Sequence, residues 1–170
     1  MKIAFVIGHT RIKRGAYSEY FKRTEWKFWK GFECELNKIG DVFYHKNFSS
    51  SYNNRQISMS KRTKDYDLVF ELHFNSLDSI ASGCEALYYY KNNQTKYISH
   101  RFCAEYTKIT GSRNRGVKPL SSREQRGYGF VYNQVPNAVI LEPFFGDNLN
   151  DCIRFDINSF IQSIKNALNT

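Results

Sequence analysis

The stretch Ile3-Ala4-Phe5-Val6-Ile7, with Gly8-His9-Thr10 directly after it, decides the fold of this chain. Consecutive apolar residues, rich in β-branched side chains, predict a short buried strand. The run is shorter than the apolar core of a signal peptide, and no small-residue cleavage site follows it. The sequence therefore predicts an internal strand here, and synthesis in the cytoplasm without a signal peptide.

Further short apolar runs follow and alternate with stretches of helical periodicity. The predicted strands are Ile3–Ile7, Asp41–Tyr44, 67–72, 85–90, Tyr128–Asn133 and 138–141. The predicted helices are 21–39 with Gly40 as the stop signal, 52–64, 98–109 before Gly111, and Ile157–Leu168. This alternation predicts an α/β three-layer sandwich, in which a mostly parallel, twisted sheet of about six strands carries helices on both faces.

Length, composition and charge narrow the class of protein. The chain has 170 residues, 41% of them hydrophobic, and no linker-like segment, so residues 1–170 are predicted to form one domain. No apolar run reaches the length of a membrane span. The net charge of +9 favours polyanionic partners, either nucleic acid or the anionic wall polymers of bacteria. A charge that serves only solubility is the alternative.

Polar residues stand where three of the predicted strands end. His9 follows the first strand, His73 the third and Glu142 the last. Parallel strands bring their carboxyl ends to one edge of a sheet, so these side chains are expected to lie close together. Two imidazoles and a carboxylate in one place indicate a metal site or acid–base chemistry. Each residue alone is more simply interpreted as structural, and their shared location favours a site.

A fourth polar candidate lies in the helical pattern after the first strand. Glu25 lies about 40° from Trp29 around a helix, which places it on the apolar stripe. A buried carboxylate needs a cation or strong hydrogen bonds, and a metal ion is such a partner. The alternative is a first-turn glutamate favoured by the helix dipole after an N-cap Thr24. Glu19 is predicted to face solvent, although the choice between Glu25 and Glu19 stays open.

His9, Glu25 and His73 form a His/Glu/His set. Catalytic zinc sites use three protein ligands of this kind and leave a fourth position for water. The ion lowers the pKa of that water and polarises a substrate carbonyl. Hydrolysis of an amide also needs a proton for the leaving nitrogen, which a carboxylate outside the ligand set can carry. Glu142 is the predicted proton carrier, and a single catalytic Zn²⁺ is the predicted cofactor.

Five short motifs occur in order along the chain. They are Gly8-His9-Thr10, Thr24-Glu25-Trp26-Lys27-Phe28, Glu71-Leu72-His73-Phe74-Asn75, Gly83-Cys84-Glu85, and Pro-Asn-Ala-Val-Ile-Leu-Glu-Pro-Phe-Phe-Gly-Asp-Asn at 136–148. In type and order they resemble the motifs of the zinc-dependent N-acetylmuramoyl-L-alanine amidases of bacterial autolysins and phage endolysins, an amidase-3-like family. The resemblance covers essentially the whole chain, and its last motif is fairly specific.

This resemblance implies roles, a reaction and a setting. Zinc would be bound by the residues matching His9, Glu25 and His73, with Glu142 as the catalytic carboxylate. The reaction would be hydrolysis of the amide between N-acetylmuramic acid and L-alanine in peptidoglycan. The setting would be a phage or prophage endolysin, with a single zinc amidase catalytic domain and no separate wall-binding domain, acting on the cell wall after release. Peptidoglycan and anionic wall polymers are then the expected partners, whereas nucleic acid is not expected.

Several residues depart from the family pattern around the predicted site. Thr10 replaces a glycine, Glu71 replaces a small residue, and Pro143 and Phe144 replace the usual residues after the catalytic glutamate. None of these changes removes a proposed ligand. They are expected to reshape the substrate groove.

Other polar residues are candidates for substrate binding. Asn75, Glu85 and Arg115 are predicted to contact the substrate; their alternatives are a turn residue, a surface ion pair and a solvated loop, respectively. His45 follows the second predicted strand; it could compete as a metal ligand, but the favoured prediction is a surface histidine.

Two other functions compete with the amidase interpretation. The first is a zinc peptidase or carboxypeptidase-like amidohydrolase on a related fold, which would cut a different bond. The second is a non-catalytic basic module that binds wall polymer or nucleic acid. The chain has neither an aromatic-basic RNA signature nor a helix-turn-helix pattern, which argues against the second.

Overall fold

The computed structural model describes residues 1–46, 51–134 and 136–169. Its strands are β1 (Ile3–Ile7), β2 (Tyr17–Ser18), β3 (Arg23–Thr24), β4 (Asp41–Tyr44), β5 (Leu68–Leu72), β6 (Cys84–Tyr89), β7 (Asn114–Leu120) and β8 (Asn137–Glu142). Its helices are α1 (Glu25–Lys30), α2 (Glu33–Leu36), α3 (Tyr52–Arg62), α4 (Asn93–Thr110), α5 (Tyr128–Asn133), α6 (Leu149–Arg154) and α7 (Ile157–Leu168).

A six-stranded sheet in the order β4-β1-β5-β8-β6-β7 forms the centre of the fold. Strands β4, β1, β5 and β8 are parallel to one another, while β6 pairs antiparallel with β8 and parallel with β7. The predicted α/β fold with a mostly parallel sheet is therefore confirmed. Because β1, β5 and β8 are adjacent and parallel, their carboxyl ends meet at one edge.

Alternating residues of the central strands separate two apolar cores, one on each face of the sheet. On β1, Phe5 and Ile7 pack in the larger core with residues of α1, α2, α4 and α7. Ala4 and Val6 pack in the smaller core with residues of α3 and α5. Side chains point to opposite faces at every second strand position, so a continuous apolar run is what a strand covered on both sides requires.

The predicted strand at Tyr128–Asn133 is wrong, because this segment forms helix α5. The helix begins after Gly127, whose φ of +90° suits a residue without a side chain. The rings of Tyr128 and Tyr132, four residues apart, stack with centroids 5.0 Å apart. A short aromatic and apolar run fits strand and helix patterns alike, so its periodicity could not distinguish the predicted strand from the observed helix.

The central sheet also contains β7, a strand that is not predicted from the sequence. It lies in the polar stretch around Arg115, for which a solvated loop is the alternative interpretation. This strand is largely polar and lies at the edge of the sheet, where Pro119 is tolerated. An edge strand does not need a continuous apolar pattern, so periodicity gave no signal for it.

The predicted helix over 21–39 is interrupted. Residues 23–24 belong to the small β2–β3 hairpin, and the helical part divides into α1 and α2 with Gly31 ending α1. The helices predicted for 52–64, 98–109 and Ile157–Leu168 are present as α3, α4 and α7. Gly111 follows α4 with a φ of +69°, as expected of a helix-ending glycine. Among the described residues, no helix has both the length and the apolarity needed to cross a membrane.

Candidate metal centre and catalytic site

Three polar residues lie at the ends of the adjacent strands β1, β5 and β8. His9 lies two residues beyond β1, His73 follows β5, and Glu142 is the last residue of β8. Glu25 is the first residue of α1, and its side chain is only 1% exposed. The fold thus brings these predicted residues to the same edge of the sheet.

The side chains of His9, Glu25 and His73 form a compact cluster, whose potential ligand atoms lie within 4.8 Å of one another. Nδ1 of His73 lies 2.6 Å from Oε1 of Glu25, and Nε2 of His9 lies 2.9 Å from Oε2 of the same carboxylate. The two imidazoles therefore approach different oxygens of one buried carboxylate. This is the His/Glu/His grouping that the sequence predicts.

Backbone groups hold the Glu25 carboxylate in place. The N–H of Phe74 donates to Oε1 at 3.2 Å, and the N–H of Ala16 donates to Oε2 at 3.4 Å. The backbone N–H of Glu25 donates to the carbonyl of Ala16 at 2.8 Å. Glu19, the alternative carboxylate, is exposed and pairs with Lys22 at 2.9 Å, outside the cluster.

Two glycines leave the space in which the cluster forms. A Cβ at Gly8 would lie 2.4 Å from a carbon of the His73 ring, and a Cβ at Gly15 would lie 2.5 Å from Oε2 of Glu25. His9 itself has a φ of +67°, a conformation that non-glycine residues rarely adopt. The turn after β1 therefore holds His9 at a cost in backbone strain, as happens at functional sites.

The cluster fits a divalent cation such as zinc. Nε2 of His9 is buried and has no hydrogen-bond partner among the described residues, although Glu25 is adjacent. A buried polar atom without a partner is costly, and a cation would satisfy it. Two imidazole nitrogens and one carboxylate are also the donor set of many catalytic zinc sites.

Charges within the cluster favour the ionised forms. Although burial opposes ionisation, the imidazoles of His73 and His9 lower the pKa of Glu25 to about 2. Burial likewise opposes protonation of His73, yet the carboxylates of Glu25 and Glu71 raise its pKa well above the usual value. His73 therefore favours its protonated form beside the Glu25 carboxylate, a position that also suits a cation.

A second acidic group lies beside the cluster, where Glu85 on β6 is directly opposite Glu142 on β8. Asn75 donates to Oε1 of Glu85 at 3.0 Å, and Nε of Arg115 donates to Oε2 at 2.8 Å. Two of the predicted substrate-binding residues, Asn75 and Arg115, are therefore both bonded to the third, Glu85. Although burial opposes ionisation, Arg115 and Asn75 lower the pKa of Glu85 and keep it charged.

The pKa of Glu142 is raised, whereas that of the neighbouring Glu85 is lowered. Burial raises the pKa of Glu142 to about 7, the neighbouring Glu85 contributes to the rise, and His73 opposes it. The carboxyl groups of Glu85 and Glu142 share a hydrogen bond, which requires a proton on one of them. A carboxyl group with a pKa near neutrality can both accept and release a proton, as a general base and acid must.

The prediction that His45 is a surface histidine is wrong. Its side chain is buried, and Nε2 lies 3.3 Å from Oε1 of Glu71 on β5. His45 follows β4, which neighbours β1 in the sheet, so it reaches the same edge as His9 and His73. The position of His45 at the end of a predicted strand was the available signal, but sequence reasoning gave it no partner.

These groups line one cleft of about 810 Å³. One side of the cleft is lined by His9, His45, Glu71, His73, Glu85 and Glu142. The other side is formed by residues from α3 and from the segment through α5, including Tyr52, Arg123, Arg126, Tyr128 and Tyr132.

Of the residues that depart from the family pattern, Glu71 lines the cleft. Phe144 packs in the aromatic core against Phe28, and Thr10 closes a turn by accepting a hydrogen bond from Lys13 at 2.9 Å.

The fold and the site define a class: an α/β protein with a compact His/Glu/His cluster beside a cleft that carries a carboxyl group of near-neutral pKa. The family model described as N-acetylmuramoyl-L-alanine amidase matches residues 3–169. The chain therefore belongs to the N-acetylmuramoyl-L-alanine amidase family. No curated protein sequence matches the chain.

Solved structures show the same fold at low sequence identity. The catalytic domain of the CD27L endolysin targeting Clostridia Difficile is 24% identical, with a TM-score of 0.78 over 99% of this chain and 96% of that one. The catalytic domain of CwlV from Bacillus (Paenibacillus) polymyxa var. colistinus is 19% identical, with a TM-score of 0.74 and the same coverage. Cwp6 from Clostridium difficile is 19% identical, with a TM-score of 0.76 over 98% of this chain and 28% of that one.

Proposed function

We propose that this peptidoglycan amidase uses His9, Glu25 and His73 to hold a catalytic zinc ion, and Glu142 to carry the proton during hydrolysis. The bond cut is the amide between N-acetylmuramic acid and the L-alanine of the stem peptide. One observation carries the proposal: the two histidines of a compact His/Glu/His set and a carboxyl group of pKa about 7 line the same cleft.

The chemistry divides between the ion and the protein. When bound, zinc polarises the scissile carbonyl and lowers the pKa of a water molecule. Glu142 accepts a proton from the attacking water and delivers it to the leaving nitrogen of L-alanine. Because its pKa is about 7, Glu142 can carry out both transfers near neutral pH.

Asn75, Glu85 and Arg115 support Glu142 in this proposal. Arg115 and Asn75 keep Glu85 ionised, and the charge of Glu85 helps to hold the proton on Glu142. Direct contacts of Asn75, Glu85 and Arg115 with the substrate remain a prediction from the sequence. The tyrosines and arginines across the cleft would contact sugar rings and stem-peptide carboxylates, respectively; their position on the cleft lining supports this.

The biological setting is part of the proposal. The fold is shared with the catalytic domain of an endolysin, which supports a phage or prophage endolysin that reaches the wall after release. The net charge of +9 would draw the protein to anionic wall polymers. Raised ionic strength should then slow lysis of intact walls, and salt-insensitive lysis would contradict this role of the charge.

Digestion of purified peptidoglycan tests the bond specificity. The expected products carry a new free amine on L-alanine and a new lactyl carboxylate on muramic acid, which mass spectrometry and end-group labelling identify. A new amine on any other residue would instead support a zinc peptidase. Glu142→Gln is the matched control, because it should retain the metal cluster and release neither end group.

A further inference from the structure

Glu71 is a buried carboxylate that the proposed mechanism does not use. It lies within β5, is 2% exposed, and has an apolar neighbour on each side in the sequence. Oε2 lies 3.4 Å from Nε2 of His73, and Oε1 lies 3.3 Å from Nε2 of His45. Nε2 of Gln56 on α3 donates to the same Oε1 at 3.5 Å.

His73 consequently lies between two carboxylates. Its Nδ1 approaches Glu25 at 2.6 Å, and its Nε2 approaches Glu71 at 3.4 Å. A neutral imidazole has one N–H and one lone pair, and the hydrogen bond at one nitrogen decides which atom carries the proton. Glu71 accepts only, so it favours a proton on Nε2 and leaves the lone pair on Nδ1, which faces the cluster.

Burying this carboxylate is costly, and its surroundings compensate for the cost. An ionised side chain inside a strand is stable only with hydrogen bonds and nearby positive charge, and such an arrangement adds little to stability compared with apolar packing. Glu71 has such surroundings, because the imidazoles of His45 and His73 approach its two oxygens and Gln56 donates to one of them. Because Glu71 adds little to folding and contacts the proposed ligand His73, its role is best sought at the metal centre.

We propose that Glu71 is a positioning residue for the metal centre. It orients the His73 ring, fixes Nε2 as the protonated nitrogen and makes Nδ1 a better ligand, while His45 and Gln56 hold the Glu71 carboxylate. Partners that bond the far nitrogen of a ligating histidine orient it and raise its basicity in this way. The charges of Glu25 and Glu71 together also match that of a divalent cation. The inference rests on the proposed function, because it assumes that zinc occupies the cluster.

Zinc affinity tests the inference without an activity assay. Competition with a chromogenic chelator is measured for the wild type, Glu71→Gln and the matched control Glu19→Gln, which changes an exposed carboxylate outside the cluster. We expect Glu71→Gln to weaken zinc binding by about 10- to 100-fold and Glu19→Gln to leave it unchanged. Zinc affinity within twofold of the wild type in folded Glu71→Gln would overturn the role of Glu71. A wild type that binds no zinc would overturn the proposed metal centre as well.

A spectroscopic measurement on the wild type separates positioning from a purely structural role and does not depend on any variant folding. In the zinc-loaded protein, ¹H–¹⁵N spectra of the histidine side chains should show a His73 Nε2–H that exchanges slowly with water. A His73 ring that carries no proton on Nε2 would contradict the inference. His45→Gln, which changes the far side of the Glu71 carboxylate, should weaken zinc binding less than Glu71→Gln does; a larger loss would also contradict it.

Discussion

Glu25 and Glu142 both lie at the same edge of the sheet, yet their neighbours drive the pKa values of the two carboxyl groups in opposite directions. Glu25 contacts two imidazoles and two backbone N–H groups, and its pKa falls to about 2. Glu142 lies beside the ionised Glu85, and its pKa rises to about 7. The residue type is the same, and burial raises the pKa in both cases. The difference therefore comes from the charges and donors that each carboxyl group faces.

This contrast divides the site into two functional regions. A carboxylate that stays ionised under all ordinary conditions suits a metal ligand, which must offer a lone pair and a negative charge. A carboxyl group poised near neutrality suits proton transfer. Two acids with separated pKa values in one site are the arrangement from which acid–base roles are assigned.

Removing the carboxylate ligand should have the largest effect. Glu25→Gln takes away the only charge within the donor set, so zinc content should fall from stoichiometric to near zero and amidase activity to background. Elemental analysis and chelator competition measure the loss. Glu19→Gln is the control and should retain full metal content, whereas loss of metal in this control alone would exchange the roles of the two glutamates.

Removing the proton carrier should affect rate and not metal. Glu142→Gln lies outside the donor set, so zinc content should match that of the wild type. Its kcat should fall by about 10²- to 10⁴-fold, the usual contribution of general acid–base catalysis. Metal analysis and amidase kinetics on the same preparation check both points. A variant that loses zinc together with activity would place Glu142 among the ligands and remove the contrast with Glu25.

Replacing the charged Glu85 by glutamine should shift the pH dependence of kcat/KM to lower pH. Loss of its negative charge, with Arg115 left unpaired, lowers the pKa of Glu142, so the base form persists to lower pH. The acidic limb of kcat/KM for Glu85→Gln should therefore shift to lower pH, by about one pH unit. Rates on a soluble muropeptide across pH 5–9, at constant ionic strength, measure the shift. An unmoved limb would show that Glu85 does not set the pKa of Glu142.

The smallest effect is expected in the stability of the metal-free protein. The folded-state pKa of Glu25 lies below its usual 4.5, so its contribution of about 3 kcal/mol is present above pH 4.5 and is lost towards pH 2. The pKa of His73 lies above its usual 6.5, so its contribution is present below pH 6.5 and is lost at higher pH. The pKa of Glu142 is raised from its usual 4.5 to about 7, so ionising this group in the folded protein costs stability progressively as the pH rises from 4.5 to 7.

The Tm of the metal-free protein should therefore be highest near pH 4.5 and fall on both sides, towards pH 2 and towards pH 7. Thermal unfolding in the presence of a chelator, followed by circular dichroism, measures this dependence. In Glu25→Gln the slope on the acidic side should become shallower. An unchanged acidic slope would contradict the contribution assigned to Glu25.

The residues of the His/Glu/His cluster could be predicted from the sequence because each one is marked by a pattern in its own short segment. His9 and His73 each follow an apolar run that could only be a buried strand, and the 3.6-residue helical period placed Glu25 on an inward face. Parallel strand ends meet at one edge, so a correct strand assignment was enough to bring them together.

The local signals failed where the elements were short or lay at the sheet edge. Helix α5 has six residues whose aromatic pattern fits either type of element. Strand β7 is largely polar because one side of it has no neighbouring strand. In both segments, the residues that decide the structure belong to other parts of the chain.

The sequence alone determined the α/β architecture, the His/Glu/His set and the candidate carboxylate at the end of the last strand. Only the tertiary structure decided that Glu85 opposes Glu142, that Arg115 and Asn75 bond Glu85, and that His45 is buried against Glu71. The physical reason is the sequence separation of the residues involved. Apolar periodicity is encoded within a few consecutive residues, whereas the pKa of a carboxyl group depends on charges a few ångströms away that come from distant parts of the chain.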